Sequence, residues 1–252
     1  MTTIYPSLNG RHVFITGGGS GIGASIVEHF VEQQAKVSFV DIVDATTFVA
    51  ELDKKYSDVQ VHFQQCDIRD IERLRECIDL SREKFGSIAT LVNNAANDQR
   101  HDFKDVTPEF WDNCLSVNLR HHFFCAQHVH ADMVANGGGS IINLSSTSYL
   151  LKVGGMPGYL SAKAGIVGLT RALARDFGPH KIRVNAVLPG WVMTQRQIDL
   201  WLTTEAENDL LRSQCLKEKL YPADVSKLVL FLACDDSRMI TGQSHIVDGG
   251  RT

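Results

Sequence analysis

A short apolar run, His12 to Thr16, ends in Gly17, Gly18, Gly19, Ser20, Gly21, Ile22 and Gly23, and from Ala24 to Gln34 the apolar residues recur with a helical period. A strand, a glycine turn and a helix in that order restrict the fold sharply. The glycines reach backbone angles closed to other residues and let a pyrophosphate approach the main chain, while the free N–H groups of the helix start face it. A glycine-rich turn alone is weak evidence. Between a strand and a helix, it predicts a dinucleotide site at the first βα crossover.

The alternation then continues along the chain. Lys36 to Asp41, Val59 to Gln64, Thr90 to Asn93, Ser140 to Leu144, Ile182 to Leu188 and Ser244 to Val247 read as strands. Helical patterns fall between them at Asp44 to Tyr56, Asp70 to Phe85, Pro108 to Val134, Tyr159 to about Phe177, and Pro222 to Cys234. Gln195 to Leu216 is irregularly amphipathic. We read the segment from about 191 to 216 as a cover over a substrate, an ordinary surface helical hairpin being the alternative. No linker, composition shift or internal repeat divides the 252 residues, so one domain spanning 1–252 is expected.

Asp41 ends the second strand about two dozen positions past Gly17. A carboxylate there accepts hydrogen bonds from the adenosine ribose and repels a 2′-phosphate. No Arg or Lys among Gly18, Gly19, Ser20, Ile42 and Val43 offsets that charge, which favours NAD over NADP.

The formal charge of −4 gives no electrostatic argument for nucleic acid or an anionic membrane. No apolar run is long enough to cross a bilayer, and Met1 to Asn9 lacks the layout of a secretory signal. A small soluble ligand and a cytoplasmic location are expected. Cys66, Cys77, Cys114, Cys125, Cys215 and Cys234 are scattered without metal spacing and read as reduced, mostly core thiols. His121, His122, His128 and His130 are read as helix-surface or interface side chains, with no metal site.

Tyr159 and Lys163 stand four residues apart, on one face of the predicted helix. A phenol is a poor base near neutral pH, and a nearby cation favours its ionised form, so the pair can make a proton acceptor. Y-x-x-x-K also arises in helices where tyrosine packs and lysine solvates. Ser146 lies in a hydroxyl-rich turn after the fifth strand, at the sheet end where ligands bind. Asn118 interrupts an apolar helical pattern, as a hydrogen-bonding or a satisfied core amide would.

Together T-G-G-G-S-G-I-G at Thr16 to Gly23, N-N-A-A at Asn93 to Ala96, Asn118, Ser146, Y-x-x-x-K and P-G at Pro189 strongly resemble the short-chain dehydrogenase/reductase family. Ser146 stands thirteen residues before Tyr159, as that pattern expects, and the resemblance covers essentially the whole chain. Ala96 departs from the family's usual glycine, a methyl that could tighten the site. The resemblance implies an α/β, Rossmann-like, doubly wound parallel sheet of seven strands with helices on both faces, and a homotetramer. It implies that Gly17, Gly21, Ile22 and Gly23 hold pyrophosphate, Asp41 the adenosine ribose, Asp67 and Ile68 the adenine, and Asn94 the nicotinamide-side ribose. Thr194 and the backbone of Val192 would bind the carboxamide, with Ser20, Ala95 and Pro189 completing the cofactor set. Tyr159 becomes the general base, Lys163 its electrostatic partner and a ribose ligand, Ser146 the orienting donor, and Asn118 the holder of a water linking Lys163 to solvent.

I-Y-P-S-L-N-G, N-D-Q-R-H at Asn97 to His101, P-G-W-V-M-T-Q-R-Q and Q-C-L-K are similar to bacterial sugar dehydrogenases of this family, which oxidise free aldoses such as D-xylose, D-galactose or L-fucose to lactones. Asn97, Ser146, Ser148, Tyr149, Tyr159, Trp191 and Arg196 are the expected sugar contacts, with Asp98, Arg100 and Gln195 as further polar groups. Arg and Asp on these loops could instead pair with each other or with a neighbouring subunit. Other enzymatic readings are oxidation of a deoxy-ketosugar acid, a polyol or a hydroxyacyl compound. A non-catalytic NAD-binding scaffold is the alternative of another class.

Overall fold

The computed structural model describes residues 3–252. Seven strands form one sheet: β1 (His12–Thr16), β2 (Lys36–Asp41), β3 (Val61–Gln65), β4 (Thr90–Asn93), β5 (Gly139–Leu144), β6 (Ile182–Pro189) and β7 (Ser244–Val247). The order is β3-β2-β1-β4-β5-β6-β7, and every pairing is parallel.

The central strands are buried on both faces, and their side chains alternate between two cores. Val13 and Ile15 of β1 join one apolar cluster and Phe14 the other; Val92 and Leu91 of β4, and Ile142 and Ile141 of β5, divide in the same way. The first core is closed by α1 (Gly21–Glu32), α2 (Thr46–Lys55) and α9 (Pro222–Ala233). The second is closed by α3 (Ile71–Phe85), α5 (His121–Ala135) and α6 (Pro157–Phe177).

The strand order reverses between β1 and β4, whose last residues, Thr16 and Asn93, are paired. The crevice beyond them is where an open parallel sheet binds ligands. α4 (Pro108–Leu115) enters α5 through a π turn, Ser116–Arg120, so the expected single helix from Pro108 to Val134 is interrupted at Asn118. The extra residue in such a turn shifts the helical face that follows. His121 and His122 are accordingly fully buried, which corrects the surface reading. The segment from 191 to 216 contains two short helices, α7 (Gln195–Trp201) and α8 (Thr204–Ser213), capped by Thr194 and Thr203.

No helix among the described residues is long and apolar enough to cross a membrane. No cluster of three or more His, Cys, Asp or Glu suited to a metal occurs among them. Five of the six cysteines are buried, Cys215 being exposed, and all are free thiols.

Candidate active site

The glycine turn is a cradle built from main chain. Gly17 and Gly21 have φ of +69° and +56°, in the region that favours glycine. A Cβ on Gly23 would lie 1.7 Å from the Gly17 carbonyl oxygen, so the first turn of α1 packs directly against the loop. The amide of Asn94 donates to the Gly17 and Thr16 carbonyls at 2.8 and 3.2 Å. The Thr16 hydroxyl accepts from the backbone N–H groups of Asn94 and Ala95 at 3.0 and 3.1 Å. The amide nitrogen of Asn94, expected on a ribose, therefore also staples the turn. Ser20 is the N-cap residue of α1 and makes no side-chain capping bond. The N–H groups of that helix start, uncapped by the Ser20 side chain, fit a pyrophosphate.

Asp41 is nearly buried, and its carboxylate accepts from the N–H groups of Gly19 at 2.8 Å and Val43 at 3.2 Å. Each oxygen keeps lone-pair capacity for ribose hydroxyls. Asp67, expected at the adenine, pairs with Arg69, which holds its carboxyl below the usual range through hydrogen bonding. Ile68 is packed in the second core, so its side chain is not a lining group and only its backbone is left for an adenine. Thr194 lies against the glycine turn, a Cβ on Gly21 falling 3.2 Å from its methyl. Its N–H donates to the Val192 carbonyl at 2.8 Å. Pro189 ends β6 beside the same crevice.

Tyr159, Lys163 and Ser146 meet at the mouth of this crevice. Lys163 is buried; its ammonium donates to the Leu144 carbonyl at 2.8 Å and lies 5.5 Å from the centroid of the Tyr159 ring. Burial pushes the Lys163 ammonium down to about 7, against the opposing charge of Asp98. Burial likewise pushes the Tyr159 phenol up; Asp98 and Cys114 add to the rise, and the Ser146 hydroxyl opposes it. Desolvation therefore dominates at the phenol, and the lowering expected from Lys163 is not among the influences acting on it. Ser146 Oγ is 2.9 Å from Ser148 Oγ and accepts from the Ser148 N–H at 3.1 Å.

α6 brings these groups in by a small-residue face. A Cβ on Gly158 would come within 3.0 Å of Cys114 Sγ, and one on Gly165 within 3.1 Å of Leu119, so bulk at either position would push α6 away from α4 and the π turn. Asn118 is buried in that turn. Its Oδ1 accepts from the Asn97 N–H at 2.8 Å, and its Nδ2 donates to the Cys114 carbonyl at 3.0 Å. The side chain therefore anchors the loop after β4.

The expected sugar contacts divide. Ser148 is bonded to Ser146, the Asn97 N–H to Asn118, and Tyr149 is half-buried in the turn after β5, but Arg196 pairs with Asp98 at 3.1 Å and Trp191 Nε1 donates to Gln197 Oε1 at 2.8 Å. Gln197 Nε2 in turn donates to Asp98 Oδ2 at 2.7 Å. Gln195 bonds Asp199 within α7. The Arg100 guanidinium lies 3.8 Å over the Trp201 ring. The Gln197–Asp98 and Arg100–Trp201 contacts had no signal in the sequence, because each depends on segments about a hundred residues apart meeting. Ala96 is exposed.

A family model described as enoyl-(acyl carrier protein) reductase matches residues 17–252. A short-chain type dehydrogenase/reductase from Mycobacterium ulcerans superposes with a TM-score of 0.92 at 25% identity, covering 97% of this chain and 90% of that one. The chain belongs to the short-chain dehydrogenase/reductase family. It is an oxidoreductase, and the dehydrogenases of this family use NAD(P). It is 48% identical to a probable galactose dehydrogenase, GalD, of Rhizobium meliloti over 98% of this chain and 96% of the relative. It is 44% identical to a D-xylose 1-dehydrogenase of Caulobacter vibrioides over 99% of this chain and 98% of the relative.

Proposed function

We propose that the protein oxidises a free aldose at its anomeric carbon with NAD, giving the aldonolactone. The observation that carries this reading is the full-length similarity to two dehydrogenases named for aldoses, joined to a crevice in which Ser146, Tyr159 and Lys163 converge.

Gly17, Ser20, Gly21, Ile22 and Gly23 would hold the pyrophosphate, Asp41 the adenosine ribose, and Thr194 with the Val192 backbone the carboxamide. Asp41 supports NAD over NADP, since the residues after it, Ile42 and Val43, are exposed and apolar and give a 2′-phosphate no cation. When bound, NAD supplies the hydride acceptor and a positive charge beside Tyr159. Ser146 orients the anomeric hydroxyl by hydrogen bonding. Tyr159 takes the hydroxyl proton as the carbon–hydrogen bond breaks, leaving the carbonyl of the lactone. Lys163 holds the resulting charge balance at the phenol and passes the proton toward a water at the Asn118 turn. Because burial pushes the phenol up, the reaction gains rate as the pH becomes alkaline. A cytoplasmic location and a homotetramer complete the proposal; the exposed Phe123 and Val134 on α5 support a contact between subunits, and sedimentation tests the oligomer.

A panel of aldoses, polyols and sugar acids assayed with NAD and with NADP tests the reaction. We expect NADH formation with free aldoses, and a fall of about two to four orders of magnitude in kcat for Tyr159→Phe with NADH binding retained. Turnover of acyl thioesters or ketoacids alone overturns the sugar reading, and a preference for NADP overturns the role of Asp41. Tight NAD binding without turnover of any substrate favours a scaffold.

A further inference from the structure

We propose that Asp98 is the specificity-determining residue of the mouth: it accepts two neighbouring hydroxyls of the substrate while its hydrogen bonds to α7 hold the cover shut. This rests on the aldose reading above.

Three observations meet at this residue. First, its place is fixed from the catalytic side, because the N–H of its neighbour Asn97 donates to buried Asn118 at 2.8 Å and the Asn97 side chain closes the loop onto Gln99. Second, each carboxylate oxygen takes one donor from the cover: Arg196 on Oδ1 at 3.1 Å and Gln197 on Oδ2 at 2.7 Å. Gln197 then continues to the Trp191 indole at 2.8 Å, so one chain of hydrogen bonds runs from the π turn to the residue after Gly190. Third, the charge of Asp98 raises the Tyr159 phenol and opposes the lowering at Lys163, so its carboxylate stands within electrostatic reach of both reacting groups.

An ionised carboxylate offers about four lone-pair sites and no donor. Arg196 and Gln197 occupy two of them. The two that remain, one on each oxygen, suit two adjacent hydroxyls of a sugar ring. Such a charge-assisted pair selects strongly, because a substrate lacking one hydroxyl leaves a desolvated acceptor unmatched. The same oxygens connect substrate to cover, so the closed cover presents Asp98 to the sugar.

Asp98→Asn is the test, since it keeps the shape but replaces one acceptor oxygen by a donor that opposes Gln197 or Arg196. With an aldose that the wild type oxidises, we expect KM to rise about ten- to a hundred-fold with a smaller change in kcat. Monodeoxy analogues of that aldose provide a cycle. Removing either of the two hydroxyls should weaken wild-type binding by a similar factor and leave the Asp98→Asn enzyme nearly unaffected. A KM within twofold of wild type, or equal losses for all deoxy analogues in both enzymes, overturns the proposal.

Limited proteolysis between 195 and 213 in NADH-saturated enzyme reads the cover independently of turnover. Cleavage at least about fivefold faster in Asp98→Asn and in Gln197→Ala supports the latch, and unchanged cleavage overturns it. Gln197→Ala keeps the test alive if the Asp98 variant fails to fold. Absence of wild-type turnover on every aldose rejects the substrate reading of the previous subsection, and the proteolysis result still decides the latch.

Discussion

Two regions flank the same end of the sheet and are held by different kinds of bond. In the cradle the links are largely main chain: Gly17 N–H donates to the Val40 carbonyl at 2.7 Å, Asn94 is tied to Gly17, and Asp41 is held by two backbone amides. At the cover they run from side chain to side chain across the mouth, where Arg196 and Asp98 keep 55% and 31% of their side-chain surface exposed. Buried backbone groups must be paired in the native state, whereas an exposed ion pair contributes about 0–1 kcal/mol and weakens with salt. The cradle is therefore a fixed frame for the cofactor and the cover an adjustable one for substrate. That division lets one reaction be kept while the selected sugar changes.

The sharpest way to break this contrast is to add a methyl to the frame. Gly23→Ala puts a Cβ 1.7 Å from the Gly17 carbonyl oxygen, and neither atom can rotate away. The whole turn must then move, and the pyrophosphate hydrogen bonds of several amides move with it. We expect NADH binding, followed by fluorescence titration, to weaken more than about a hundredfold. Circular dichroism separates this from unfolding. A dissociation constant within threefold of wild type would show that the turn is as adaptable as the cover.

The same contrast decides what could be seen in the sequence. β1, β2, β4 and β7 and the glycine turn were legible with little or no error, since backbone geometry dictates glycine there and burial dictates apolar runs. Tyr159 and Lys163 were legible as a pair by helical spacing, and Ser146 joined them only through the family resemblance. The π turn was not, because Pro108 to Val134 keeps a helical pattern throughout and Asn118 was the sole sign of interruption. His121 and His122 were misplaced for the same reason. Pairing of an Arg with an Asp across these loops was open in the sequence, and Asp98–Arg196 realises it; which partners meet, and the added Gln197 bond, were not legible, since contacts across 98 or 99 positions leave no local pattern. Ile68 was assigned to adenine through the family resemblance, and with its side chain in the second core that role falls to its backbone.

Acid should act at intermediate strength, through buried histidines of the core and none in the cover. His12, between the Gly86 carbonyl and Ser38, is pushed down to about 4 by burial, and His121 down to about 3; His122 is also well below its ordinary value. As the pH falls below about 6.5, the unfolded chain takes these protons and the native state does not. Stability is then full above that value and lost below it. Each histidine contributes about 1.4 kcal/mol per pH unit between its folded and unfolded values. Urea unfolding at pH 7, 6 and 5 should give a stability that falls steeply between the last two. A flat profile would mean that the histidines are solvated rather than core.

The smallest effect is expected where the cover is most exposed. Arg100 stacks over Trp201 at 3.8 Å, joining the loop after β4 to the end of α7, and a cation over an indole near the surface contributes about 0.5–1 kcal/mol. Arg100→Ala removes that stacking and leaves Asp98, Gln197 and the cradle in place. NADH affinity should therefore stay within twofold, and global stability should change by less than about 1 kcal/mol. The effect belongs to the closed cover alone. It should appear as a two- to fivefold rise in KM for the sugar, reduced at high salt, where the neighbouring Arg196–Asp98 pair is also weakened. A fall in NADH affinity as large as the change in KM would show that the cover and the frame move as one body, and the contrast between them would then be one of exposure rather than of rigidity.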